Sequence, residues 1–286
     1  MEQKTIDAGA ATRTGQRRLR RFFVRDDALY DHYVAVGQAK SLGAKVFYIL
    51  MHLLPGIIAW GLINVNSIYR ASLRVTGLSG RTQQYMLLIA VTFGWHMLLP
   101  LMILRFKDKL TWKQTLEFLG LDRVDLRGLV VVLPVYCALF VLIALPYMQW
   151  IWNPLEKCLQ SVPAFHMPEY TIFKAGPDGL YSFPPIALVF LLIGNFLGEE
   201  LYFRGYLMKK IAFLGNAAWI VNSFLFAIYH LWQVPQTWPL IGLVFAFGLL
   251  MQLRKNLYVL IAFHLFVNMW LTYGSYPLAK LLHLAN

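Results

Sequence analysis

The chain has 286 residues, of which 58% are hydrophobic and only 14% charged. A soluble globular domain carries about 25% charged residues, so this deficit, with a mean hydropathy of +0.54, excludes an ordinary soluble enzyme and points to a polytopic membrane protein. The net charge of +12 does not call for nucleic acid, because membrane proteins gather Lys and Arg on their cytoplasmic loops and no nucleic-acid motif accompanies the charge.

Residues 1–44 form a basic segment, expected to be cytoplasmic. Arg17, Arg18, Arg20, Arg21 and Arg25 surround Leu19, Phe22, Phe23 and Val24. That pattern suits an amphipathic helix on an anionic membrane surface, and equally a solvated tail that only sets orientation. No apolar stretch precedes a small-residue cleavage site, so no signal peptide is expected.

Residues 45–286 read as an all-α polytopic bundle. Apolar runs predict spans at about 45–65, 84–104, 127–148, 183–208, 216–234, 238–253 and 257–274, each near the roughly 20 residues that cross a bilayer. Pro55, Pro134 and Pro185 fall in these runs, which membrane helices tolerate. With the N-terminus inside, nineteen of the 26 Lys and Arg lie on the inner side, six on the outer, and Arg204 within a span. This favours an N-in topology, for which Arg70, Arg74 and Arg81, with no acid nearby, are the awkward part. In the loop at 105–127, Thr111 and Gln114 form a capping box and Gly120 can end the helix, so a short interfacial helix is expected, with Trp112, Leu116 and Leu119 on one face. The loop at 149–180 is expected to cap the outer face, with His166 a surface residue. Cys137 and Cys158 have no metal-type spacing and are read as two free thiols.

The chemistry concentrates in Leu-Leu-Ile-Gly-Asn-Phe-Leu-Gly-Glu-Glu-Leu-Tyr-Phe-Arg-Gly-Tyr-Leu, residues 191–207. An ionised group in mid-membrane costs about 2.5–3.5 kcal/mol on insertion scales, so Glu199, Glu200 and Arg204 mark a functional site. On a helix Glu200 and Arg204 are i,i+4 neighbours and can pair. Glu199 points about 100° away and is the unpaired carboxylate, the group suited to act as a general base. Gly194 and Gly198 make a G-x-x-x-G that lets a second helix approach closely. Phe226-Ala-Ile-Tyr-His230 and His264-Leu-Phe-Val-Asn268 lie in later spans at similar depth, so both histidines, Asn268 and a carboxylate can converge in one polar cavity. Taken singly, each has a structural explanation. His52 and His96 read as helix–helix hydrogen bonds, Phe226 as packing, and Asn268 as interhelical glue.

Together, Glu199-Glu200-Leu-Tyr-Phe-Arg204, Phe226-Ala-Ile-Tyr-His230 and His264-Leu-Phe-Val-Asn268 resemble the E-E-x-x-x-R, F-x-x-x-H and H-x-x-x-N signatures of the CPBP family. These are the CAAX prenyl proteases and the bacteriocin-processing or immunity (Abi) proteins. The resemblance covers about residues 180–275, the expected catalytic part. It implies an all-helical intramembrane endopeptidase of about eight spans, one more than the seven read here, so the bundle is expected to hold 7–8. Carried over, Glu199 and His230 would activate the hydrolytic water. His264 and Asn268 would stabilise the oxyanion, a role for which preorganised donors contribute several kcal/mol. Glu200 and Arg204 would shape the site or contact substrate. The family is classed with metalloproteases. A zinc ion, if present, would sit on Glu199, His230 and His264, whereas the zincin H-E-x-x-H is absent and a glutamate-activated water is the metal-free route. Two other classes of function fit the same residues. One is a non-catalytic scaffold or bacteriocin-immunity protein of the same fold. The other is a transporter or proton relay, although no inverted repeat or paired broken helices are visible. The expected partner is a membrane-associated peptide or protein, CAAX-like or other, met in the lipid bilayer and not a nucleic acid. The membrane would be a bacterial inner membrane, or the endoplasmic reticulum in a eukaryote.

Overall fold

The computed structural model describes residues 19–162, 184–233 and 241–271. The expectations placed on Arg17, Arg18 and His166, and on the ends of four spans at 183, 234, 238–240 and 272–274, lie outside these residues. The chain runs through α1 (Ala28–Gly37), α2 (Leu42–Asn64), α3 (Asn66–Thr76), α4 (Gly80–Lys107), α5 (Trp112–Leu119), α6 (Gly128–Gln160), α7 (Pro185–Lys210), α8 (Ala212–Trp232), α9 (Phe245–Arg254) and α10 (Leu257–Met269). No strand occurs among the described residues. Among the described residues five helices, α2, α4, α6, α7 and α8, are long and apolar enough to cross a bilayer, and α9 and α10 are shorter apolar helices. The protein is therefore an integral membrane helical bundle. The expected seven spans appear as five of spanning length and two short ones.

Large apolar side chains on α2, α4 and α6, among them Ile57, Trp60, Met102, Leu142 and Ile143, face outward. In water they would be a liability; in lipid they are the belt that holds the bundle in place. The polar and charged side chains of α7 turn the other way. Every residue from Glu200 to Lys210 is buried in the protein, so its charges face neighbours and not hydrocarbon.

Prolines explain much of the local geometry. Wide i→i−5 turns cover Ala90–Leu98, Gly128–Val132 and Met148–Trp152, each just ahead of a proline, Pro100, Pro134 and Pro154. Proline lacks an N–H and crowds the carbonyl four residues back, and a widened turn relieves both defects. This is why α6 passes through Pro154 and reaches Gln160, where a loop from 149 was expected. Pro185 does not interrupt a span; it begins α7. The stretch 66–83, expected as a loop, is mostly helix. α3 ends on Gly77 in the left-handed conformation, and Ser79 caps the start of α4 through its hydroxyl.

At one end of the bundle the capping box of α5 forms as expected, with Gly120 closing the helix at a φ of 78°. Its buried face is Thr115, Phe118 and Leu119, whereas Trp112 and Leu116 point out, which splits the face read from the sequence. The basic segment is not a free tail over its described part. Arg25 N–H donates to Leu253 O and Ala39 N–H to Lys210 O, each at 2.9 Å. Asp27 pairs with Arg25 at 2.9 Å and Arg123 at 3.1 Å, and Tyr30 and Tyr33 of α1 are buried. α1 thus closes the end of the bundle where α7 and α9 finish.

Candidate active site

α7 runs through the middle of the bundle and touches α2, α4, α5, α8 and α10. Its approach to α4 depends on two glycines. A Cβ on Gly194 would lie 2.6 Å from Phe93 N and Thr92 Oγ1, and one on Gly198 would lie 2.5 Å from Thr92 O. Nothing larger than hydrogen fits, as the G-x-x-x-G spacing implied. Immediately after Gly198 comes Glu199, set between two wide turns. Glu199 N–H bonds to Gly194 O, and Met208 N–H to Phe203 O. No proline accounts for these turns. Wide turns within α-helices concentrate at functional sites, and here they alter the register of the glutamates that a regular helix would impose.

The two glutamates have different surroundings. Glu200 Oε1 lies 3.5 Å from Arg204 Nη1 and 3.0 Å from His264 Nδ1, with Glu200 and Arg204 fully buried. The His264 nitrogen faces the carboxylate without the angle of a hydrogen bond. Glu199 has no ion pair among the described residues, yet it is electrostatically coupled to His264, Glu200 and Arg204. The pairing read from sequence is therefore present, and Glu199 is the carboxylate left over.

Phe226 has more to do than pack. The Arg204 guanidinium lies 3.9 Å from the Phe226 ring centroid and 5.2 Å from that of Phe247. A desolvated cation over an aromatic face gains about 2 kcal/mol, which offsets part of the cost of burying Arg204 with a single carboxylate. Phe226 also meets the His230 ring edge-on, at 4.4 Å between centroids. His230 Nδ1 is 2.8 Å from Phe226 O. A carbonyl only accepts, so Nδ1 carries the proton and Nε2 is free to accept one. His230 sits where α8 tightens into its last turn, nearer the helix end than the sequence suggested. His264 is wedged edge-on between Phe196, at 5.4 Å, and Phe247, at 5.3 Å.

Glu199, Glu200, Arg204, His230 and His264 thus belong to one buried cluster. Asn268, one turn beyond His264 on α10, is half-buried, and among the described residues no hydrogen bond or ion pair ties it to the others. Phe247 escaped the sequence reading, as did Asn222. Asn222 Nδ2 donates to Phe203 O at 2.7 Å and lies 3.1 Å from His52 Nε2, while His52 Nδ1 reaches Tyr48 O at 2.7 Å. His52 is thus the helix–helix contact it was expected to be, and it braces the back of the motif helix. Cys137 and Cys158 are free thiols.

Among the described residues no three His, Cys, Asp or Glu side chains are grouped as a metal would require. The Arg204 cation is already paired with Glu200, next to the carboxylate a zinc ion would use, which opposes a second cation there. The donor set as it stands does not fit zinc.

Residues 181–270 match the family model of Rce1-like type II CAAX prenyl endopeptidases. This segment is similar to the domains of that CAAX protease family. No curated protein and no solved structure matches the chain. The CAAX protease match begins just ahead of α7 and ends just after α10, so it encloses all seven residues of the three signatures and leaves α1–α6 outside it.

Proposed function

We propose that this protein is an intramembrane endopeptidase that hydrolyses a peptide bond in a membrane-associated peptide or protein through a water activated by Glu199 and His230. The observation that carries the reading is the division of labour between the glutamates: Glu200 is engaged by Arg204 and faces His264, and Glu199 is left without an ion pair beside them. In an apolar, water-poor site such a carboxylate is placed to take a proton. His230, with Nδ1 committed to Phe226 O, presents Nε2 as a second acceptor for the same water.

In this reading the water gives a proton to Glu199, and its oxygen attacks the scissile carbonyl carbon. The carbonyl oxygen becomes an oxyanion. His264 donates to it from Nε2, and Glu200, 3.0 Å from Nδ1, offsets the charge that a doubly protonated ring carries. Asn268 Nδ2 is the second donor, brought in with substrate. The proton then passes to the leaving nitrogen as the C–N bond breaks, giving an amine and a carboxylic acid. Arg204 holds Glu200 in place and is itself held by Phe226. Since the donor set does not fit zinc, no step runs through a metal.

The test is cleavage by purified protein in detergent, using a prenylated CAAX peptide beside a panel of unprenylated peptides. Wild type should cut at least one peptide, and Glu199→Ala and His230→Ala should each lose at least 100-fold, as expected for a general base. Equal cleavage by wild type and both variants would sink the proposal and favour a non-catalytic role.

A further inference from the structure

His96 has no part in the three signatures, yet it lies against them. It is fully buried on α4. Its ring stacks on Tyr202 at 5.1 Å and meets Phe203 and Tyr229 edge-on at 5.3 and 5.2 Å. Tyr229 in turn meets His230 edge-on at 4.8 Å, so one tyrosine ring flanks both histidines. The backbone beside it belongs to the motif, since a Cβ on Gly198 would fall 3.4 Å from His96 Cβ.

Neither ring nitrogen of His96 has a hydrogen-bond partner among the described residues. Two of the three other buried histidines of this region behave differently, and the third, His264, faces Glu200. His52 and His230 each place Nδ1 on the carbonyl one turn back, Tyr48 O and Phe226 O. For His96 that carbonyl is Thr92 O, which is pressed against Gly198 in the α4–α7 contact, and the turn itself is widened. Packing alone does not explain the residue, because a phenylalanine would stack on Tyr202 equally well without burying two polar atoms. Buried polar atoms with no protein partner are the sites where ordered water resides.

We infer that His96 is a positioning residue of the site: it hydrogen-bonds a buried water beside the motif helix, and through that water it fixes the position of the hydrolytic water. The inference rests on the protease reading for its catalytic consequence, but the water itself does not. No covalent step is added; His96 neither gives nor keeps a proton over the cycle.

Two variants and one structure test it. His96→Phe keeps the ring and removes both nitrogens. It should fold, with a melting temperature equal to or above that of wild type, and lose at least 10-fold in kcat with KM within 2-fold. His96→Gln restores a donor and an acceptor and should recover most of the kcat. An experimental structure at a resolution that shows waters should place one within hydrogen-bond distance of a His96 nitrogen. Wild-type kcat in His96→Phe, a loss that His96→Gln does not rescue, or a dry His96 would each overturn the inference. If wild type and Glu199→Ala prove indistinguishable on every peptide, the protease reading falls. The structure then decides alone: a water on His96 supports the site, and a dry ring ends it.

Discussion

The Arg204 guanidinium rests on the face of Phe226, 3.9 Å from the ring centroid. This contact joins two of the three signatures through space, and it explains why a phenylalanine stands one helical turn before His230. The same ring supports the cation that engages Glu200 and, through its backbone carbonyl, sets the tautomer of His230.

Phe226→Leu should therefore reduce cleavage without unfolding the protein. Losing a desolvated cation–π contact of about 2 kcal/mol corresponds to roughly 30-fold in kcat/KM if the whole effect reaches the site. Phe226→Trp keeps a π-face and should lose less. Equal rates for Leu and Trp would refute the cation–π explanation.

The Glu200–Arg204 pair, with both side chains fully buried, should show strong non-additivity. Glu200→Gln or Arg204→Met alone strands a buried charge, a change that costs about 3–5 kcal/mol. The double variant strands none and should be more stable than Arg204→Met. Thermal unfolding in detergent of the four proteins checks it. Additive losses would mean that the pair is not coupled.

Gly198→Ala should weaken the α4–α7 contact, because its methyl would lie 2.5 Å from Thr92 O and backbone cannot step aside. Overpacking costs about 1–3 kcal/mol, read as a lower melting temperature and a loss of activity through displacement of Glu199. Gly43→Ala is the control, since no atom lies within 4 Å of its new Cβ and it should behave as wild type.

In the proposed route Glu199 activates the water and no metal takes part, so a zinc chelator such as 1,10-phenanthroline should leave the cleavage rate within about 2-fold, a range well under the 1.4 kcal/mol that separates tenfold rates. A large loss, reversed by added zinc, would show that substrate or lipid regroups Glu199, His230 and His264 around a metal.

The class of protein was legible without coordinates. Long apolar runs admit only membrane helices or a closed barrel, and three charges within one such run have to face something other than lipid. The capping box at Thr111 and the close approach at Gly194 and Gly198 were equally legible, since both follow from bonding and sterics within a few residues. Other features come from contacts between distant parts of the chain. Glu200 meets His264, Phe247 supplies a second face to Arg204, and Asn222 reaches His52. Periodicity assigns a residue to a helix face but does not say which helix will cover it. The wide turns on either side of Glu199 belong to this second group as well, because a hydrogen bond shifted from four residues to five leaves no signature in composition. The sequence by itself therefore determined the solvent, the helical class and the candidate site residues, each a consequence of local chemistry. Only the packed structure decided which distant groups meet that pair, His264 on Glu200 and the rings of Phe226 and Phe247 on Arg204, because that choice depends on the helices that surround α7.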